Sequence, residues 1–151
     1  MPILHEVIET TLPPDQAFEF VADFANAARW DPGVAHSERT DIGPVDVGAR
    51  YRLGIRMGGR VAPMEYRITA FEPGRRVVLA GSGSGVEAVD DIRFERLATG
   101  TRIDYVADIR LVGWRRILEP FAGRAFARIG ADARDGMQRT LEGLRREASG
   151  G

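Results

Sequence analysis

The chain has 151 residues, with 22 acidic and 21 basic side chains, a formal net charge of -1 and no cysteine. This length suits one domain with a substantial core, and no block of like charge marks a nucleic-acid or membrane surface. Because lysine and cysteine are both missing, Schiff-base lysines, thiol nucleophiles, thiolate metal sites and disulfides are excluded. No signal-peptide pattern or apolar run of membrane-spanning length is present, which predicts a soluble, cytoplasmic protein.

The N-terminal part of the chain predicts one strand followed by two short helices. Ile3–Thr11 is rich in β-favouring residues and is followed by Pro13-Pro14, and proline suits the first turn of a helix. Apolar residues then recur at helical spacing up to Phe24. A second short helix is predicted over Asn26–Trp30, and Asp31-Pro32-Gly33 ends it.

The middle of the chain predicts an antiparallel meander. Gly58-Gly59 is typical of a two-residue hairpin turn, and Glu72-Pro73-Gly74 is typical of a tight turn. Links this short leave no room for crossover helices, which argues against a Rossmann-type parallel sheet. The strands predicted in this region are Val34–Asp41, Arg50–Met57, Val61–Phe71, Arg76–Ser82 and Val86–Leu97.

The last third predicts a strand and one long helix. Apolar and polar residues alternate over Thr101–Leu111, and an amphipathic pattern of helical period runs from about Trp114 to about Arg146. Because Pro120 has no N–H, Trp114–Glu119 is predicted to be a separate turn or a bent segment, with the regular helix starting near Pro120. Residues 1–148 are predicted to form a single ligand-binding domain, and 149–151 a flexible tail.

These elements predict an α+β fold, in which a seven-stranded antiparallel sheet is covered by the C-terminal helix and two short helices lie between strands 1 and 2. The middle of that helix carries unusually small residues on its apolar face. Since interiors pack densely, the small residues favour a cavity between sheet and helix. The alternative is close helix–sheet contact. The residues concerned are Ala122, Ala125, Ala133, Gly136 and Thr140.

Strand alternation places all three tyrosines, Tyr51, Tyr66 and Tyr105, on the inward face. Buried hydroxyls need partners, so these residues favour an apolar lumen with convergent polar groups; the alternative is that each hydroxyl reaches water at a rim. Asp90 lies in the apolar register of its strand, where it could orient a ligand hydroxyl or act as an acid or base. A strand end or a bulge that turns Asp90 outward is the alternative.

The predicted ligand-binding residues come from the inward strand faces and from the helices. Trp30 is one of them, although a tryptophan at this place is more often core than ligand contact. A zinc site of His5, His36 and Asp90 is a minor alternative, and neither a metal nor a cofactor is predicted. The full set is Trp30, Tyr51, Leu53, Ile55, Met64, Tyr66, Ile68, Asp90, Ile92, Tyr105, Ala125, Phe126, Ile129 and Ala133.

Several motifs resemble a known superfamily. Pro13-Pro14 with the aromatic helix after it, and Trp30-Asp31-Pro32-Gly33, resemble the start of the START-like helix-grip (SRPBCC) superfamily. Val47–Tyr51, Ile68–Arg76 and Gly100–Arg102 are similar to its bacterial polyketide cyclase/dehydrase-like branch. The resemblance covers nearly the whole chain and concerns structural motifs, so it predicts fold better than activity.

The resemblance implies a curved antiparallel sheet that grips the C-terminal helix around a hydrophobic ligand cavity. Members include lipid carriers, hormone receptors and aromatic polyketide cyclases, and no catalytic residue is common to them all. We therefore predict a monomer or homodimer that binds a hydrophobic small molecule, namely a lipid, a polyketide or an aromatic metabolite. One alternative is a polyketide cyclase or dehydratase, which would be a lyase or isomerase and would use Tyr and Asp groups of the cavity for proton transfer. Another alternative is an accessory protein whose cavity is incidental.

Overall fold

The computed structural model describes residues 3–113 and 123–150, and the side chains within 3–113 and 127–147. Its strands are β1 (Ile3–Thr10), β2 (Val34–Arg39), β3 (Arg50–Met57), β4 (Arg60–Glu72), β5 (Arg76–Gly83), β6 (Val86–Leu97) and β7 (Gly100–Leu111). Its helices are α1 (Pro14–Ala22), a 3-10 turn (Phe24–Asn26), α2 (Ala27–Trp30) and α3 (Gly123–Gly150). The strands form one antiparallel sheet in the order β1-β7-β6-β5-β4-β3-β2. The predicted helix-grip α+β fold is therefore confirmed.

The predicted strands agree with the observed ones to within two residues at either end. The predicted Gly58-Gly59 turn is confirmed, because both glycines have positive φ angles, 54° and 81°, as a primed hairpin turn requires. α3 ends at Gly150 and so includes two residues that the sequence predicts as tail. The predicted break at Trp114–Glu119 and Pro120 lies outside the described residues.

Different helices cover the two ends of the inner sheet face. At one end, Phe18 of α1 packs edge-on against Phe71 and Phe94, with ring centroids 5.2 and 5.1 Å apart. Phe24 of the 3-10 turn packs against Tyr51 at 6.4 Å. Buried aromatic side chains therefore fill this end. At the other end, α3 runs along β1 and α2. None of the described helices is long and apolar enough to cross a membrane.

Close contacts hold α3 in place on both sides. Arg134 Nη1 forms an ion pair with Glu6 Oε2 of β1 at 3.2 Å. On the other side, a Cβ atom at Gly136 would lie 2.1 Å from the carbonyl oxygen of Trp30. Of the two interpretations of the small helix residues, close contact is therefore correct for Gly136, but the contact is with α2 instead of the sheet.

Candidate ligand-binding cavity

A cavity of about 170 Å³ lies between α3, α2 and the end of the sheet that α1 does not cover. It is smaller than pockets for drug-sized ligands, which measure about 300–1,000 Å³. An apolar cavity of about 150 Å³ is known to hold one benzene ring, so this one suits a ligand body of about that size. Its aliphatic lining is Leu4, Ile8, Val34, Ile55, Met57, Met64, Val86, Ala88, Ala107, Ile109, Ile129, Ala133 and Met137.

Some of the predicted ligand-binding residues line this cavity, and others are buried away from it. Those that line the cavity are Trp30, Ile55, Met64, Tyr66, Asp90, Tyr105, Ile129 and Ala133. Tyr51, Leu53, Ile68 and Ile92 are buried in the core outside the cavity lining, because they lie further along their strands, toward the end that α1 and the 3-10 turn cover. The side chains of Ala125 and Phe126 lie outside the described residues.

Asp90 is the most deeply buried acidic group of the cavity. Its side chain points inward from β6, it is 7% exposed, and the Tyr105 hydroxyl donates a hydrogen bond to its Oδ2. Burial raises the pKa of Asp90 to about 7, while the Tyr105 hydrogen bond lowers it and the nearby charge of Asp31 raises it further. Asp90 is therefore a carboxyl group that both holds and releases a proton near neutral pH.

Asp31 is a second carboxyl group of the cavity, which the sequence pattern assigned only to a turn. It follows Trp30 directly, and its Oδ1 accepts a hydrogen bond from the Gly33 N–H at 2.8 Å. Burial raises the pKa of Asp31 to about 6, the Gly33 hydrogen bond lowers it, and Asp132 on α3 raises it. The sequence carried one indication of this role: Asp31 directly follows Trp30, which was itself predicted to bind ligand.

Tyr66 enters the cavity across from a glycine on the neighbouring strand. Gly81 of β5 pairs with Tyr66, and a Cβ atom there would lie 2.5 Å from the Tyr66 ring. Glycine is therefore what allows the ring to lie flat on the sheet. Burial raises the pKa of the Tyr66 hydroxyl well above its usual range, and Asp90 and Asp31 add to the effect.

The cationic side chains that line the cavity are engaged with other groups. Arg134 pairs with Glu6, which sequence alternation would have placed inward between Leu4 and Ile8. Arg56 Nε donates to the Pro32 carbonyl at 3.2 Å. Among residues whose side chains are described, no cation lies within 4.0 Å of the carboxylate of Asp31 or Asp90.

The two histidines lie on the outer face of the sheet. His5 Nε2 contacts Asp104 Oδ1 at 3.2 Å, and the exposed His36 ring covers Gly54. The zinc interpretation that joined them to Asp90 is therefore wrong, because the sheet separates the histidines from the inward carboxylate. Within the described part of the chain, no group of three or more His, Cys, Asp or Glu residues could hold a metal ion.

The fold recurs in solved structures of low sequence identity. The Zhui aromatase/cyclase from Streptomyces sp. R1128 is 14% identical with a TM-score of 0.74, over 94% of this chain and 92% of that one. A START superfamily protein from Mycobacterium smegmatis is 12% identical with a TM-score of 0.74, over 97% and 98%. The di-domain ARO/CYC BexL from the BE-7585A biosynthetic pathway is 19% identical with a TM-score of 0.72, over 94% and 47%.

These likenesses show the fold alone, and no curated protein matches the chain. A family model does match, from residue 1 to residue 149, and its description is "Polyketide cyclase / dehydrase and lipid transport". Because the match spans nearly the whole chain, this protein belongs to the polyketide cyclase/dehydrase and lipid transport family.

Proposed function

We propose that this protein binds one small molecule with an apolar ring in the cavity beneath α3. The observation that carries the proposal is an aliphatic cavity of about 170 Å³ into which a few polar groups, Asp31, Tyr66, Asp90 and Tyr105, converge. This is the usual composition of a small-molecule site. Of the three ligand classes that the sequence predicts, the volume favours an aromatic metabolite over a lipid or a long polyketide.

Apolar burial would supply most of the affinity, at about 25 cal/mol per Å² of ligand and wall surface removed from water. The polar groups would orient the ligand. The family description, which covers both cyclases and lipid transport, supports binding of a hydrophobic molecule.

Methionine NMR tests the proposal directly, because three of the four methionines, Met57, Met64 and Met137, line the cavity. In protein labelled at the methionine methyl groups, added toluene should shift these signals saturably. Ala133→Leu, which fills the cavity, should abolish the shifts. Ala131→Leu is the matched control, since Ala131 lies on the same helix outside the lining. Unshifted methyl signals would contradict the proposal, and native mass spectrometry would identify any ligand retained through purification.

A second function, proton transfer on a carbonyl substrate, is favoured by the hydrogen bond between Tyr105 and Asp90. The Asp90 carboxylate would take a proton from the carbon beside the carbonyl, and the resulting enolate would recover a proton from Asp90. Such a step is part of cyclase and dehydratase chemistry. In D₂O the protein should then catalyse deuterium uptake by 1-phenylpropan-2-one. Asp90→Asn should remove this activity, and Asp91→Asn, on the outer face, should retain it.

A further inference from the structure

The two carboxyl groups of the cavity indicate a narrower class of ligand. We propose that the cavity selects a small hydrophobic amine in its protonated form, with the ammonium group beside Asp31 and Asp90 and the apolar body against the aliphatic lining. This inference rests on the proposed binding function and names the ligand class for that site.

The first argument is the missing countercharge. Asp90 is 7% exposed and keeps one hydrogen bond, from Tyr105. Asp31 is held by the Gly33 N–H, and no described cation lies within 4.0 Å of either carboxylate. A buried carboxylate is costly unless it is paired and hydrogen-bonded. A ligand that carries a positive charge supplies the partner that the described chain lacks.

The second argument is the balance of the charges that face this part of the cavity. From β1 and α3, Glu6 and Arg134 neutralise each other at 3.2 Å. From β3, Arg56 donates to a backbone carbonyl. Asp132 of α3 adds negative potential at Asp31, as its effect on the pKa of that group shows. Arg56 keeps its charge, but the ionised carboxylates of Glu6, Asp31, Asp90 and Asp132 outnumber the two arginines, so this part of the cavity repels a carboxylate ligand such as a fatty acid and attracts an ammonium group.

The third argument is independent of the carboxylates. The aromatic rings of Trp30, Tyr66 and Tyr105 line the same cavity, and the Trp30 and Tyr105 centroids are 5.9 Å apart. Aromatic rings attract cations at their faces, most strongly where water is excluded. An apolar cavity that combines three such rings with two carboxylates suits a cation better than a neutral or anionic ligand.

Proton release is the expected signature of amine binding. Burial raises the pKa of Asp90 to about 7 and that of Asp31 to about 6, so both groups are partly protonated near neutral pH. The hydroxyls of Tyr66 and Tyr105 keep their protons, because burial raises their pKa values well above the usual range. A bound ammonium favours the ionised carboxylates, so binding releases protons and tightens from about pH 5.5 to about pH 7.5.

Three probes with the same ring separate the possibilities: 2-phenylethylamine, 2-phenylethanol and phenylacetate. Isothermal titration at pH 7.5 should show the amine binding at least about tenfold tighter than the alcohol, with phenylacetate weakest. Titration at lower pH, in buffers of different ionisation enthalpy, should show proton release with the amine only. An alcohol or phenylacetate that binds as tightly as the amine would overturn the inference and leave the proposed binding function intact. If neither toluene nor any of the three probes binds, the proposed function itself fails.

Substitutions of the two carboxyl groups test whether they cause the preference for the amine over the alcohol. Asp90→Asn should weaken the amine by about 10- to 100-fold and change the alcohol little, since a charge-assisted contact is lost. Asp31→Asn should act in the same direction and serves as the second test if Asp90→Asn folds poorly. Asp91→Asn is the matched control and should change neither affinity. Unchanged amine binding in both Asp31→Asn and Asp90→Asn would refute the inference.

Discussion

Asp90 and Asp91 are neighbours in β6, and the sheet places them in opposite environments. Asp91 faces outward, where Arg76 bonds both of its carboxylate oxygens at 3.0 and 2.8 Å and lowers its pKa. Asp90 faces inward, where burial raises its pKa to about 7. The chain thus neutralises the outer carboxylate with its own arginine and surrounds the inner one with tyrosines and aliphatic groups.

The same contrast extends across the two sheet faces. On the outer face, Arg52 pairs with Glu65 at 2.8 Å and Arg102 with Asp104 at 3.2 Å. Such exposed pairs contribute little to stability. In the cavity, the buried Asp90 and the half-buried Asp31 have no described cationic partner. The outer carboxylates are thus paired with arginines, whereas burial raises the pKa of each inner carboxyl group and disfavours its ionised form.

Asp90→Asn should produce the largest effect, and its sign depends on pH. Because the folded pKa of about 7 lies above the ordinary aspartate pKa of 3.8, folded protein holds a proton that unfolded protein releases. The stability that this proton contributes is present below about pH 4 and is lost as the pH rises through about 7. The variant, which cannot ionise, should gain about 4 kcal/mol over wild type between pH 4 and pH 8. Urea unfolding at both pH values measures the gain, and an equal difference at both would contradict it.

Gly136→Ala extends the comparison to α3. The added Cβ would lie 2.1 Å from the Trp30 carbonyl oxygen, and backbone cannot yield as a side chain does. We expect a loss of about 3 kcal/mol in the free energy of unfolding. Gly143→Ala is the control on the same helix, since no atom lies within 4 Å of its added Cβ. It should gain about 1 kcal/mol from helix propensity. Equal effects of the two variants would rule out the close contact.

The two sheet faces can also be compared by the stability that an added methyl group costs on each. The variants are Gly81→Ala on the inner face and Gly54→Ala on the outer face. The Cβ at Gly81 would strike the buried Tyr66 ring, whereas that at Gly54 would strike the exposed His36 ring. We expect Gly81→Ala to cost about 1–3 kcal/mol and to move the Tyr66 ring. Gly54→Ala should cost less, because His36 has room to rotate into solvent. Thermal unfolding of both variants ranks the costs, and a larger loss for Gly54→Ala would reverse the comparison.

Asp91→Asn should give the smallest effect, with a pH dependence opposite to that of Asp90→Asn. Arg76 lowers the folded pKa of Asp91, so its ionised form stabilises the protein above its unfolded pKa, and this stability is lost as the pH falls. The partly exposed pair limits the loss to about 0.5–1 kcal/mol at pH 7. The loss should shrink as the pH falls below the unfolded pKa and through the lowered folded pKa. A variant that becomes more stable at pH 7 would contradict this assignment.

The spacing of apolar residues and the residue types of the turns, both visible in the sequence alone, determined most of the fold. The alternation of apolar and polar residues predicts that Tyr66, Asp90 and Tyr105 lie on the inner face. This prediction is local, because successive side chains of a strand point to opposite faces of the sheet. Hairpin glycines such as Gly58-Gly59 determined the antiparallel order, since their positive φ angles are local.

Only the tertiary structure decided where the cavity lies. Tyr51 and Tyr66 both face inward as partners across β3 and β4, and Phe24 packs against both rings, yet only Tyr66 lines the cavity. Alternation predicts the face of a strand and not which inward residues border the cavity. The sequence pattern predicts Asp31 only as a turn residue, and the fold brings it into the same cavity lining as Asp90. Ala133 and Gly136 carry the same small-residue pattern, yet one lines the cavity and the other contacts the Trp30 backbone. The spacing of residues in the sequence predicts which face of a helix or strand is buried. The residues that this face contacts depend on how distant segments of the chain pack together.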